Sequence, residues 1–158
     1  MKDSIKKGFG FGLTSGIITT LGLMIGLYFS TKSVLAVIGG IIVIAVADSL
    51  SDSLGMHISE ETNKKNSNKE IWEATISTFC FKFLFALSFI VAFLFCEITT
   101  AIIINIFWGL ILITLFSYYI SWSKKQSVIK AIAEHLLIAI AVIILTYYIG
   151  ISVGSFFG

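Results

Sequence analysis

Arginine and proline are both absent from this chain of 158 residues. Without arginine there is no planar guanidinium fork for phosphates or base edges. The net charge is only +2, and the lysines are dispersed rather than gathered into a patch, which argues against a nucleic-acid partner. Charge of either sign is scarce, at 13% of residues, against about 25% in a soluble domain. With 57% hydrophobic residues and a mean hydropathy of +0.99, a water-soluble globule and a disordered chain are both excluded. Proline being absent, a helix kink needs another cause, and Gly39-Gly40 is the candidate hinge. Cys80 and Cys96 share one apolar run and would stand about 24 Å apart on a straight helix. They read as buried thiols rather than a disulfide, and they carry no information on redox compartment. No Ser-His-Asp set, His-Glu-x-x-His pair or phosphate-binding loop occurs, so the expectation is a protein that is not an enzyme and holds no tight cofactor.

What the chain does have is long apolar runs. A bilayer-crossing helix needs roughly 20 mostly apolar residues. Five runs qualify, at about 8–30, 33–59, 71–96, 98–121 and 128–153. They are too long and continuous for barrel strands. The expected fold is all-α: one transmembrane domain over residues 1–158, with five spanning helices. The first run has a basic start, Lys2, Lys6 and Lys7, but it exceeds the 7–15 apolar residues of a signal peptide and reads as a retained helix.

Lysine placement orients the bundle. Lys2, Lys6 and Lys7 precede the first run, Lys64, Lys65 and Lys69 follow the second, and Lys124, Lys125 and Lys130 follow the fourth. Only Lys32 falls on the other side. The positive-inside rule then places the N-terminus in the cytoplasm and the C-terminus outside. The polar stretch Glu60–Glu70 reads as a flexible, solvated loop. Gly8, Gly12 and Gly16 recur every four residues, as do Gly22 and Gly26. Such faces suit close packing within the chain or a dimer contact.

The informative stretch is Ala47 to Glu61. Asp48, Asp52, Met56 and Glu60 are spaced by four and share one helix face, with Ser49, Ser53, His57 and Glu61 beside them. If the helix leaves the hydrocarbon near His57, Asp52 lies about 7 Å inside and Asp48 about 13 Å. A buried charge costs roughly 2.5–3.5 kcal/mol even on the lenient insertion scale, so a cation, a proton or a base must compensate. Lys82, at about 16 Å on the third span, matches the depth of Asp48. An Asp48–Lys82 pair would leave Asp52 without a partner and make it the stronger functional candidate. Carboxylate, imidazole and thioether together suit a first-row divalent metal, so Asp48, Asp52, Met56, His57, Glu60 and Glu61 form the candidate metal set. A carboxylate in this setting can also exchange protons for the metal. Thr14, Ser15, Thr19 and Thr20 read as bonding back to their own helix or lining a path opposite Asp52. Glu73 suits a helix N-terminus. Asn105 reads as glue between helices, and Glu134-His135 either as a second ligand pair or, by the spacing of Glu134 from Lys130, as part of a plain helix-surface pair.

Three stretches resemble the vacuolar iron transporter family. The first is Gly10-Phe-Gly-Leu-Thr-Ser-Gly-Ile-Ile-Thr-Thr-Leu-Gly-Leu. The second is Ala47 to Ser59, where Ser51, Leu54, Gly55 and Ser59 coincide with the family pattern. The third is Ala139 to Gly150, ending Leu-Thr-Tyr-Tyr-Ile-Gly. The resemblance implies a five-helix homodimer in a prokaryotic plasma membrane that exports Fe(II) and Mn(II) from the cytoplasm in exchange for protons. The chain departs from the pattern at several positions. Phe11 stands at the family's first-helix aspartate, Asp52 at its methionine, Met56 at its glutamate and His57 at its tyrosine. The family's helical metal-binding domain has only residues 60–70 in its place. The competing readings are a membrane protein that moves no ion, whose acidic stripe and Lys82 are structural, and a carrier of another cation.

Overall fold

The computed structural model describes residues 2–123, 125 and 127–158; Lys124, counted above in a basic cluster, lies outside them. The described chain is helical throughout, with short connections: α1 (Asp3–Thr31), α2 (Val34–Glu61), α3 (Asn68–Ser88), α4 (Ile90–Phe95), α5 (Ile98–Ser123) and α6 (Val128–Phe157). Taking α3 and α4 as one span, five helices are long and apolar enough to cross a bilayer. The helices run past the apolar limits read from sequence, because polar flanking turns continue the same hydrogen-bond ladder. One end of the bundle carries Lys2, Lys6, Lys7, Lys64, Lys65 and Lys69, and is called here the lysine-rich end.

Local chemistry sets the connections. At the far end, Lys32 closes α1 in a left-handed conformation, its N–H bonding to Tyr28 O and its ammonium lying 4.1 Å from the Tyr28 ring. Ser33 then caps α2, its hydroxyl accepting from Ala36 N–H. At the lysine-rich end, Ser67 and Glu70 form a reciprocal capping box that starts α3. The middle of the 60–70 segment, residues 61–65, is exposed as a solvated loop would be, but its start is not. Glu60 is still helical and buried, and Asn66 donates to its carboxylate at 2.8 Å.

The core is built on α1, which packs most closely on α3, two helices later in the chain and parallel to it. Gly8, Gly12 and Gly16 make this possible. A Cβ on Gly12 would lie 2.6 Å from Thr78 O, and one on Gly16 would lie 3.0 Å from Lys82 O. Gly22 faces Val142, and Gly26 meets Gly150, both on α6. The glycine faces of α1 are therefore used inside the chain, not held free for a second copy. A different small face is left open. Gly39, Val43, Ala47, Ser51, Gly55 and Ser59 run along α2 at a spacing of four, and a Cβ on Gly39 or Gly55 would meet nothing within 4 Å.

The bend falls elsewhere than expected. α2 runs unbroken through Gly39-Gly40, and Gly40 instead receives Leu23 and Leu27 of α1. The break lies at Phe89, between α3 and α4, where Phe89 N–H bonds three residues back to Ala86 O. Asn105 of α5 donates to the Phe89 carbonyl at 2.8 Å, which satisfies the break and ties it to the next span. Both cysteines are free, and Cys80 lies on the exposed face of α3 rather than buried. It sits off the face that carries Ala74, Thr78, Lys82 and Ala86 into the core.

Candidate functional site

Asp48 and Asp52 stand one turn apart on α2, and Lys82 enters between α1 and α2 from the buried face of α3. Its ammonium lies 2.6 Å from Asp48 Oδ2 and 2.5 Å from Asp52 Oδ2. Lys82 also donates to Ser15 Oγ at 3.0 Å, and Ser15 donates to Asp52 Oδ2 at 2.6 Å. The lysine side chain is 1% exposed, whereas Asp48 and Asp52 keep 32% and 22% of theirs open. Gly16 provides the room, because its missing Cβ would press on the Lys82 Cγ at 3.3 Å.

Asp52 is thus not without a partner. One lysine serves both acids, because carboxylates four residues apart project along one helix face within reach of the same flexible amine. One cation between two carboxylates leaves one formal negative charge, on the open side of the cluster.

The other members of the acidic stripe are separated. Glu60 lies two turns nearer the lysine-rich end, paired with Lys7 at 2.8 and 3.1 Å. Met56 and His57 are half-buried between the two clusters, and Glu61 is exposed. His57 Nδ1 is 3.0 Å from Thr75 Oγ1. That hydroxyl already donates to Ile71 O, so it accepts from His57 and leaves Nε2 as the free lone pair. Trp72 meets the imidazole edge-on at 4.8 Å. Among the described residues, no three His, Cys, Asp or Glu side chains gather closely enough to hold a metal by themselves.

Other polar residues sort as their chemistry dictates. Thr14 and Thr19 bond back to their own helix, whereas Ser15 faces Asp52. Glu73 is held by Lys2 at 2.6 Å and by Ser4 at 2.7 Å, so it joins α3 to the start of α1. Glu134 faces Lys130 at 3.9 Å on the surface. His135 pairs with Ser117 at 2.7 Å, between α5 and α6. The pairs Lys7–Glu60 and Lys2–Glu73 were not foreseen. The only sequence signal for them is that lysines and acids fall at the same end of successive spans.

Compared with protein-family models, curated proteins and solved structures, the chain matches none.

Proposed function

We propose that this is an integral membrane transporter that exchanges protons for a divalent cation of the Fe(II) or Mn(II) kind at Asp48, Asp52 and Lys82. The observation that carries the reading is one buried ammonium shared by two carboxylates. Charge counting gives the cycle. With Lys82 protonated and one acid protonated, the cluster is neutral. With both acids ionised, Lys82 deprotonated and one divalent cation bound, it is neutral again. An amine, unlike a guanidinium, can surrender its proton when a divalent cation takes its place between the two acids. A site that is neutral in both states avoids the cost of a net charge at bilayer depth. Each cation leaving therefore returns two protons. With the lysine-rich end in the cytoplasm, an acid exterior drives export.

The test is Mn(II) flux from proteoliposomes under an imposed pH gradient, with Asp52→Asn beside the wild type. Wild-type flux should follow the pH gradient and ignore an imposed membrane potential. Asp52→Asn should fall to background, because the remaining Asp48–Lys82 pair is already neutral. Flux that survives in the variant removes the site assignment. Flux that follows the potential removes the two-proton balance.

The transporter is proposed to work as a homodimer joined through the open α2 face. Asp48 and Asp52 border that face, and their open edges cannot be left against lipid. Small residues on it allow close helix approach. Gly55→Leu has free space within one protomer, so it should leave each chain folded and halve the mass seen by native mass spectrometry in detergent. A wild type that is already monomeric, or a variant that stays dimeric, rejects this interface.

One observation favours a second reading. The pairs Lys2–Glu73 and Lys7–Glu60 and the Lys82 cluster all tie together α1, α2 and α3. If the stripe is only a clamp, exchanging Asp48 and Lys82 preserves the fold and no cation moves in either protein.

A further inference from the structure

Two buried side-chain oxygens among the described residues have no hydrogen-bond partner: Ser49 Oγ on α2 and Thr20 Oγ1 on α1. Both residues are 0% exposed. A buried hydroxyl without a partner is uncommon and costly, and it calls for a reason. The helix register shows where the two lie. Lys7 meets Glu60 and Ser15 meets Asp52, so an eight-residue step along α1 matches an eight-residue step back along α2. Ser49 is then about 4.5 Å and Thr20 about 7.5 Å beyond the Ser15–Asp52 contact, at 1.5 Å per residue. Both sit on the side away from the lysine-rich end, Ser49 just short of the level of Asp48 and Thr20 just past it. Thr20 also continues the spacing of Gly8, Gly12 and Gly16, and the same face goes on to Met24 and Tyr28, both buried. The Tyr28 hydroxyl reaches Thr99 Oγ1 at 3.0 Å, near the far end of the bundle.

The inner half of this α1 face is thus glycine, packed on α3, and the outer half is hydroxyl, thioether and phenol. We infer that Ser49 and Thr20 are cation ligands on the outward leg of the path. They receive the ion at the level of Asp48 and pass it along Met24 towards Tyr28 and Thr99, within the protomer, from the α1–α2–α3 cluster to the α1–α5 contact at the far end. The inference rests on the transport reading above. It adds the route and the groups that line it. A passing ion would supply the partner that these two hydroxyls lack. The thioether of Met24 favours a transition metal over an alkali ion on this leg.

The experiment compares Thr20→Val, Thr20→Ser and Ser49→Ala with wild type and Asp52→Asn, measuring Mn(II) flux in proteoliposomes and Tm in detergent. Valine keeps the shape of threonine and removes only the hydroxyl. Thr20→Val and Ser49→Ala should keep or raise Tm, since the lost hydroxyl has no partner, while flux falls about tenfold, the size of one lost polar ligand. Thr20→Ser should keep its flux. Wild-type flux that is lost in Asp52→Asn but unchanged in Thr20→Val and Ser49→Ala overturns the route and leaves the transport site standing. Flux lost in Thr20→Ser as well overturns the hydroxyl as the cause. A Tm drop in Thr20→Val and Ser49→Ala shows a structural bond at these oxygens and overturns their role as free ligands. A wild type that moves no Mn(II) overturns the transport reading and the route with it.

Discussion

Lys82→Met should destabilise the protein by roughly 3–5 kcal/mol, the cost of removing one partner from a buried ion cluster. Methionine fills the space of the lysine stem, so lost packing is a minor part. The loss comes from Asp48 and Asp52, left one turn apart with no cation between them. The check is thermal unfolding in detergent for the single variant beside Lys82→Met/Asp48→Asn/Asp52→Asn. The triple variant removes all three charges and should recover most of the lost Tm, because neutral amides carry no charge to compensate. It should also move no Mn(II). A single variant as stable as wild type would mean that the ammonium holds neither acid in place, and the shared-lysine account would fail.

The second large effect is expected at Gly12. Its Cβ position lies 2.6 Å from Thr78 O and 3.1 Å from Lys82 N, both main-chain atoms that cannot rotate away. Gly12→Ala should cost roughly 1–3 kcal/mol through overpacking. Gly12→Val, with two further carbons directed at α3, should prevent α1 and α3 from closing at all. Parting these helices also withdraws Lys82 from Ser15 and Asp52, so flux should fall with the first variant even where the protein still folds. Gly55→Ala is the control. Nothing lies within 4 Å of its Cβ position, and alanine favours a helix by about 1 kcal/mol over glycine. Equal stability of Gly12→Ala and Gly55→Ala, measured by thermal unfolding, would remove the close α1–α3 contact from the description.

The helices were legible because each run of roughly 20 apolar residues has a bilayer-length meaning on its own. The depth match of Lys82 to Asp48 was legible for the same reason, since position along a helix converts directly to distance. Whether one amine serves one acid or two was not legible, because it depends on how near α3 approaches α1 and α2. That approach is set by Gly12 and Gly16 against Thr78 and Lys82, contacts between segments far apart in the chain. The four-residue glycine spacing was visible, but its partner was not. The bend shows the limit from the other side. Gly39-Gly40 looked like the weak point by composition, yet Leu23 and Leu27 pack there. The break at Phe89 carries no glycine or proline, and is held from α5 by Asn105. Ser15 was one of four hydroxyl residues on α1, and only the structure separates it from Thr14 and Thr19, which bond to their own carbonyls.

The parallel packing of α1 on α3 also sets an order on biogenesis. Segments leave the ribosome from the N-terminus onward, so α1 and α2 are both made before Lys82 exists. During that interval Asp48 and Asp52 lie in α2 with Ser15 opposite and no ammonium between them. Only with the synthesis of Lys82 does the ammonium that joins the two acids in the finished fold become available. A polypeptide truncated within α3 before that residue would keep Asp48 and Asp52 without the cation that joins them to α3.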